Sequence, residues 1–120
     1  MSGNLLLFMS DSPFQHESID NAIEISEAAL EKDHEVNIFL MMDGVYNPTN
    51  SQNGEPFQMT PVSERLESLM KRGVRISCCR VCMELRGVAL EDLADGADMG
   101  GIFDLSEMVE ESDVILSLVS

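Results

Sequence analysis

Basic residues are scarce in this 120-residue sequence, where 7 Lys and Arg stand against 22 Asp and Glu and leave a formal net charge of -15. Such a field repels phosphate backbones and favours solubility, which argues against direct nucleic-acid binding. Long apolar runs are also missing. Residues 5–9 are too few for a signal-peptide core or a membrane span, and no basic residue precedes them. We therefore expect a cytoplasmic protein without a membrane partner.

Familiar cofactor and metal motifs are absent too. Gly100 and Gly101 belong to neither a Gly-x-Gly-x-x-Gly fingerprint nor a P-loop, so we expect no nucleotide cofactor. Cys78, Cys79 and Cys82 lie within five positions, but no second Cys-x-x-Cys or His pair completes a zinc site. We expect no metal within one chain, and a metal that bridges two subunits remains an alternative.

The residues that are present fit one folded unit. Apolar residues make up 44% of the chain and charged residues 24%, which is the usage of an ordinary globular protein. A chain of this length can bury roughly two-thirds of its extended surface in one core, so we expect a single domain over residues 1–120. Three cysteines in a reducing compartment favour reactive thiols or a metal site over a disulfide framework.

Four short apolar runs, at residues 5–9, 36–42, 74–78 and 114–119, predict parallel strands that are covered on both faces. Amphipathic helical patterns alternate with these runs. Alternation of strand and helix predicts an α/β fold with a mostly parallel sheet of four strands and a short fifth near residues 99–103.

The helical patterns carry start signals. One apolar stripe of 3.6-residue period begins at Ser18, and a second follows Pro61, with Thr60 as its predicted start. Asp104, three residues before a glutamate, predicts a short capped helix that ends near Ser112. Residues 46–59 form the longest stretch without a pattern, which makes them a candidate lid or oligomer contact.

The sequence Cys79-Arg80-Val81-Cys82 follows the third apolar run, where an open α/β sheet usually places its reacting groups. A thiol attacks as its thiolate, which a helix N-terminus and nearby cations favour. Cys79 meets both conditions if residues 80–86 form a short helix that Gly87 ends. Cys82 would then face the same side as Cys79, while we expect Cys78 to be buried. The basic residues around these thiols are Lys71, Arg72, Arg75, Arg80 and Arg86.

The succession of short fragments along the chain resembles the DsrE/F-like sulfur-relay family. The matching fragments are SDSP at 10–13, LEKDHEV at 30–36, DGVY at 43–46, Cys79 ahead of LRGV at 85–88, and SDVI at 112–115. The resemblance implies a three-layer α/β sandwich, assembly into trimers or hexamers, and a cysteine that carries sulfur as a persulfide. Cys79 matches the family's sulfur-accepting cysteine, and Cys82 belongs to a Cys-x-x-Cys variant that only some relatives share.

The function that follows is that of a sulfur carrier or sulfurtransferase. In this mechanism we expect the Cys79 thiolate to attack the terminal sulfur of a donor persulfide, to hold it as Cys79–S–SH and to give it to an acceptor thiol. Such an exchange needs little acid–base machinery, so the lack of a visible catalytic triad is no obstacle. We expect donor and acceptor proteins as partners and a homo-oligomer as the working form. Besides the candidate catalytic residues Cys79 and Cys82, the candidate binding residues at neighbouring strand ends are Ser10, Asp11, Ser12, Asp43, Tyr46, Arg80 and Arg86, with Gly100 and Gly101 nearby.

Two other readings of the sequence stay open. The Cys-x-x-Cys spacing favours a dithiol-disulfide oxidoreductase that uses Cys79 and Cys82. The acidic surface favours a non-catalytic module that binds a partner and uses no thiol. His16, in the polar segment after the first run, is interpreted as an ordinary exposed side chain, because sequence spacing does not define a Cys–His dyad.

Overall fold

The computed structural model describes residues 3–15 and 17–118. His16 and the last residue of the fourth apolar run, Val119, lie outside these ranges. The strands are β1 (Asn4–Met9), β2 (Glu35–Leu40), β3 (Arg75–Cys79), β4 (Asp98–Gly100) and β5 (Val114–Leu118). The helices are α1 (Ser18–Glu31), α2 (Val62–Lys71), α3 (Arg80–Leu85) and α4 (Ile102–Glu111), and 3-10 turns cover Met42–Tyr46, Glu55–Phe57 and Leu90–Asp92.

All five strands belong to one parallel sheet in the order β4-β3-β2-β1-β5. Helices lie on both sides of this sheet, which confirms the predicted three-layer α/β fold. Because the strands are parallel, their carboxyl ends meet at one edge of the sheet. β3 lies between β2 and β4, so the end of β3 is flanked by the ends of those two strands and not by the end of β1.

One face of the sheet carries the main core. Alternate residues of β1, β2 and β3 point to this face, and the apolar stripes of α1 and α2 cover it. Leu7, Ile38 and Ile76 are fully buried there, as are Ile19 of α1 and Leu66 of α2. Burying an aliphatic side chain of this size contributes about 1.5–3 kcal/mol each, so this face holds most of the hydrophobic free energy of folding.

The opposite face carries a smaller core built around Leu6, Phe39 and Met108 of α4. The Phe39 ring packs edge-on against Phe8, with 6.2 Å between the ring centroids. Cys79 is partly buried and packs against both cores, whereas its neighbour in sequence, Cys78, is fully buried in the first. The expected burial of Cys78 is confirmed. Successive side chains of a strand point to opposite faces of the sheet, so the side chains of Cys78 and Cys79 leave β3 in opposite directions.

β2 ends two residues before the end of the predicted apolar run, 36–42. It ends at Leu40, and Met42 has a positive φ of 51° and opens a 3-10 turn. Gly44 in that turn lies so close to the backbone of Met9 that a Cβ atom would approach the Met9 carbonyl oxygen to 2.6 Å. The chain therefore folds over the end of β1, and residues 41–42 leave the sheet.

Two helix starts also differ from the prediction. α4 begins at Ile102, and the Asp104 carboxylate accepts a hydrogen bond from the Gly101 amide at 2.8 Å, so Asp104 lies inside the first turn. α2 begins at Val62, whose amide donates to the side chain of Gln52 at 2.8 Å. Among the described hydrogen bonds, none joins the Thr60 side chain to an amide at the start of α2. The cap comes from a residue ten positions away, which local sequence could not indicate.

The fourth apolar run differs most from its prediction. We expected coverage on both faces, yet β5 is an exposed edge strand in which Val114, Ile115 and Leu116 expose 53%, 43% and 39% of their surfaces. The strand has one neighbour, β1, because the sheet ends there. An apolar edge of this kind is the part of a sheet that invites pairing with another chain.

The stretch at residues 46–59 is less loose than its composition predicted. It contains a 3-10 turn and an isolated bridge between Thr49 and Leu93. The Asn50 amide donates to the Asp92 carbonyl oxygen at 2.8 Å, and the Asn50 side chain donates to the Leu93 carbonyl oxygen at 2.7 Å. These bonds hold the stretch against residues 92–94.

Candidate functional site

Cys79 is the last residue of β3 and immediately precedes α3. Its backbone is extended, with φ -61° and ψ 119°, and Arg80 is the first helical residue. The helix ends at Leu85, and Gly87 follows with a φ of 70°. A positive φ is what glycine tolerates without steric cost, so the helix ends where the sequence predicted.

Cys82 lies one helical turn after Cys79 and faces it. The two thiols lie near enough to interact, and Cys82 exposes 8% of its surface. Burial raises the pKa of the Cys82 thiol, the backbone N–H of Met42 lowers it, and the neighbouring Cys79 thiol raises it. The left-handed backbone of Met42 thus places a donor beside the thiol pair.

Cys78 has a different environment. It is fully buried, and burial raises the pKa of its thiol to about 12, with smaller contributions from Asp98 and Cys79. A thiol with so high a pKa is neutral at physiological pH and reacts slowly as a nucleophile. Of the three cysteines, Cys79 is the least buried.

A cleft of about 340 Å³ opens beside Cys79. Its lining is almost wholly apolar and comes from the end of β2, from α3 and from the start of α4. Gly100 lies beside Cys79 across the β3–β4 pairing and leaves the thiol uncovered on that side. The described lining consists of Phe39, Met41, Met42, Cys79, Arg80, Val81, Cys82, Gly100, Gly101, Ile102 and Leu105.

The cations near the thiols are all engaged by carboxylates. Arg80 pairs with Glu84 at 3.3 Å on the surface of α3. Arg86 pairs with Asp43 at 2.9 Å and also donates to the carbonyl oxygen of Cys82 at 3.2 Å. The other three members of the basic cluster do not surround the thiols: Arg75 pairs with Asp98 and Asp104, and Lys71 and Arg72 precede the opposite end of β3.

The structure divides the predicted binding residues into three groups. Arg80 lines the cleft, and Arg86 and Asp43 form an ion pair beside it. Tyr46 packs against the main core. Ser10, Asp11 and Ser12 follow β1 and are absent from the described lining of the cleft.

The polar residues after β1 are occupied in other contacts. Asp11 accepts a hydrogen bond from Ser18, and its carbonyl oxygen accepts one from the Asn47 side chain at 2.9 Å. Ser12 donates to Gln15. These bonds fasten the segment after β1 to the start of α1 and to the turn after β2. Their role in binding stays a prediction.

Another cleft, of about 420 Å³, lies between the starts of α1 and α2. Phe14 and Met59 line it, and the Arg65–Asp20 ion pair occupies its charged side. No thiol is among its described lining residues. The Cys79 cleft is smaller, but two thiols line it.

Comparison with known proteins decides the family. The model of the DsrE/DsrF-like family matches residues 3–118. The chain belongs to the DsrE/DsrF-like family. An uncharacterised protein of Methanocaldococcus jannaschii is 32% identical over 111 residues, which are 92% of this chain and 96% of that protein. The candidate sulfurtransferase DsrE of Allochromatium vinosum is 43% identical over 44 residues, 36% of this chain and 34% of that protein.

The fold of this DsrE/DsrF-like chain also has a solved counterpart. The crystal structure of the YchN protein of Escherichia coli superposes with a TM-score of 0.84 at 24% identity and covers 98% of this chain and 99% of that one. At this level of identity the likeness concerns the fold alone. It agrees with the five-stranded parallel sheet described above.

Sequence reasoning missed the residues that form most of the cleft of this family member. Phe39 and Met41 were assigned to the strand, and Ile102 and Leu105 were assigned near a short strand and a helix start. A usable signal was present: apolar residues continue past the ends of β2 and β4 into exposed positions. Met42 and Ile102 expose 55% and 70% of their surfaces, which is unusual for side chains of this type.

Within the described residues, 3–15 and 17–118, no helix is long and apolar enough to cross a membrane. No group of three His, Cys, Asp or Glu side chains within those ranges is arranged to hold a metal ion.

Proposed function

We propose that this chain is an intracellular sulfur carrier that accepts sulfane sulfur on Cys79 as a persulfide and passes it to an acceptor thiol. The observation that carries the proposal is the position of one partly exposed thiol in a cleft, at the end of a strand and in contact with a second thiol. Family membership and the likeness to a candidate sulfurtransferase support the same chemistry.

The chemistry requires few groups. The Cys79 thiolate attacks the outer sulfur of a donor persulfide, one S–S bond forms, and the donor thiolate leaves as the old S–S bond breaks. The acceptor thiolate then attacks the outer sulfur of Cys79–S–SH and regenerates the Cys79 thiolate. Thiolates serve as nucleophile and leaving group in both steps, so no general base is needed.

Mass spectrometry of the reduced chain after incubation with a sulfur donor tests the proposal. We expect one added sulfur on the peptide that contains Cys79. Cys79→Ser should lose the addition, and Cys78→Ser is the matched control, because a buried thiol next in sequence should not contribute. Sulfur that persists on Cys79→Ser would contradict the assignment.

The contact between the two thiols favours one alternative, a dithiol-disulfide oxidoreductase that cycles between Cys79–Cys82 disulfide and dithiol. The two functions differ in what Cys82→Ser does. A sulfur carrier would still be loaded on Cys79, whereas an oxidoreductase would lose its activity. Loss of disulfide exchange together with unchanged sulfur loading would show that the chain can do both.

Partners, compartment and assembly are part of the proposal. Donor and acceptor proteins would deliver and collect the sulfur, which agrees with the sulfur-relay role associated with the family. Free thiols in all three cysteines fit a reducing cytoplasm. We propose that residues 1–120 act as one domain within a homo-oligomer, for which the exposed apolar residues of β5 provide a surface. Capture of a mixed disulfide with Cys82→Ser in cell extract would identify a partner.

A further inference from the structure

Cys82 is placed to react with a group that Cys79 carries. It lines the same cleft as Cys79 and lies one helical turn after it. It exposes only 8% of its surface, whereas Cys79 is less buried. An external acceptor therefore reaches Cys79 more easily than Cys82, and the reaction open to the Cys82 thiol is an intramolecular one.

The helix that carries Cys82 needs support from outside itself. α3 has six residues, too few for a stable isolated helix, and its buried residues are Cys82 and Met83. Val81 and Leu85 of the same helix expose 62% and 79% of their surfaces. Two buried side chains are a small anchor, so the position of the Cys82 thiol depends on further contacts.

Arg86, directly after α3, makes the further contacts. Its Nε atom donates a hydrogen bond to Oδ1 of Asp43, in the 3-10 turn after β2, at 2.9 Å. Its Nη1 atom donates to the carbonyl oxygen of Cys82 at 3.2 Å. The guanidinium is rigid and planar, so both bonds form together only while the helix and the turn keep their separation. The same turn brings the backbone N–H of Met42 to the Cys82 thiol.

We propose that Asp43 and Arg86 are positioning residues that hold Cys82 for the discharge of a persulfide on Cys79, so that sulfur which no acceptor collects leaves as sulfide. This inference rests on the proposed function, because the persulfide on Cys79 is its starting state. It adds a regulatory route at the same site. An acceptor thiol attacks the outer sulfur of the persulfide, whereas Cys82 attacks the inner one.

The discharge step balances without an added oxidant. The Cys82 thiolate attacks the Cys79 sulfur of Cys79–S–SH, and a Cys79–Cys82 disulfide forms. The persulfide S–S bond breaks with its electron pair on the outer sulfur, which leaves as HS⁻. The Cys82 sulfur is thereby oxidised and the outer sulfur is reduced to sulfide. Two molecules of a small thiol then reduce the disulfide and restore both cysteines.

Charge and position predict opposite results for Asp43→Ala. Burial raises the pKa of the Cys82 thiol, and the Cys79 thiol raises it further. The Met42 N–H and the Arg86 guanidinium lower it. Loss of the Asp43 carboxylate leaves the Arg86 charge unopposed, so charge alone would favour the Cys82 thiolate and speed the discharge. Loss of the link between the turn and α3 should instead slow it.

Release of sulfide from the loaded chain tests the proposal. The reduced full-length chain is loaded with glutathione persulfide, freed of donor by gel filtration and kept in oxygen-free buffer without an acceptor. Sulfide is measured with a fluorescent probe, and the Cys79–Cys82 disulfide is measured by peptide mass spectrometry. We expect sulfide and disulfide to appear in equal amounts, and Cys82→Ser to keep the added sulfur on Cys79.

Four variants separate position from charge. Asp43→Ala and Arg86→Lys should slow the release about tenfold, because misplacing a reacting group by about 1 Å can cost about 10²-fold. Arg86→Lys keeps the charge, so its deficit should persist at high pH, where Cys82 is ionised in every variant. Asp43→Asn keeps an oxygen that accepts from Arg86 and should recover most of the rate. Glu84→Ala is the matched control, because it breaks an exposed ion pair with Arg80 on the same helix.

The outcomes separate this inference from the proposed function. Release from Cys82→Ser at the unmodified rate, faster release from Asp43→Ala, or equal slowing by Asp43→Ala and Glu84→Ala would each overturn the inference and leave the sulfur carrier intact. Recovery of the full rate by Arg86→Lys at high pH would also contradict a positioning role, because charge alone would then explain the deficit. Failure of the unmodified chain to load sulfur on Cys79 would overturn the proposed function as well.

Discussion

At the scale of single residues, the three cysteines show how neighbouring side chains of one strand come to lie in different environments. Cys78 points into the main core, and Cys79 points to the other face and reaches the cleft. Cys82 returns to Cys79 after one turn of α3. The chemistry of these nearly adjacent thiols therefore differs because their surroundings differ.

Cys78 predicts a pH dependence of stability. Burial raises the pKa of its thiol from 9.0 to about 12, so the folded chain holds this proton where the unfolded chain releases it. Protonation of the Cys78 thiol contributes fully to the free energy of unfolding below pH 9, and this contribution is lost as pH rises from about 9 toward 12. We expect urea unfolding at pH 8 to 11 to show this decline, and Cys78→Ala to show a smaller one.

The comparison of slopes is the informative quantity in that experiment. Cys78→Ala also removes buried atoms, which lowers stability by a similar amount at every pH. Other groups that titrate above pH 9 affect both proteins equally. Parallel curves for the two proteins would mean that the Cys78 thiol is ionised as easily in the folded chain as in the unfolded one.

Interactions between residues close in sequence place the site residues that the sequence could assign. Interactions between distant parts of the chain place the residues that it could not. Cys79, the helix after it and Gly87 follow from local signals: the end of an apolar run, a helical pattern and a residue that tolerates positive φ. Ser10 lies at the same edge of the sheet as Cys79, as predicted. The strand order puts β2 between their strands, which separates them by about 10 Å at ordinary strand spacing.

At the scale of elements, β4 meets β3 through a close approach that requires glycine. A Cβ atom on Gly100 would lie 2.4 Å from the Oγ atom of Ser77, which is buried and has no hydrogen-bond partner in the described part of the chain. We expect Gly100→Ala to lower the free energy of unfolding by about 1–3 kcal/mol through overpacking. It should also slow alkylation of Cys79, since Gly100 lies beside that residue in the strand pairing.

Two further variants separate overpacking from a general intolerance of substitution. At Gly101 an added Cβ atom would meet its nearest neighbour, an Asp104 oxygen, at 3.9 Å, so Gly101→Ala should cost much less. Ser77→Ala removes the clashing oxygen, and Gly100→Ala in that background should lose most of its effect. Additive losses in the double variant would refute the proposed contact.

The start of α2 depends on a side chain from the preceding loop. Gln52 accepts a hydrogen bond from the Val62 amide at 2.8 Å and donates to the Asn47 carbonyl oxygen at 2.7 Å. We expect Gln52→Ala to cost about 1 kcal/mol, as the loss of an N-terminal cap does. Thr60→Ala is the control, because Thr60 is exposed and the described hydrogen bonds give it no part in the helix start. Chemical unfolding of both variants gives the comparison.

At the scale of the whole molecule, the alternation of strands and helices was enough to predict a parallel sheet with helices on both sides. The alternation did not determine the strand order, because several orders are compatible with it. The position of β5 at an edge follows from that order alone. For this reason an apolar run that resembled an inner strand proved to be exposed at Val114, Ile115 and Leu116.

The exposed edge predicts self-association. Ile115→Lys should convert an oligomer into smaller species in light scattering, because a charge within β5 opposes pairing of apolar edges. Leu90→Lys is the matched control, since Leu90 is 50% exposed but lies in a 3-10 turn away from the sheet edge. Equal dissociation by both changes would show that added charge acts generally, and an unchanged mass with Ile115→Lys would place the interface elsewhere.

The net charge predicts how such an assembly responds to salt. Each subunit carries a charge of -15, so electrostatic repulsion between like chains opposes association. Burial of the apolar residues of β5 favours it. Screening shortens the reach of the repulsion from about 10 Å at 0.1 M salt to about 3 Å at 1 M, and hydrophobic contacts are not weakened. The dissociation constant from sedimentation should therefore fall as salt rises, and Ile115→Lys should remain dissociated throughout. A constant that rises with salt would mean that intersubunit ion pairs hold the assembly, in which case the apolar edge of β5 is not its main contact.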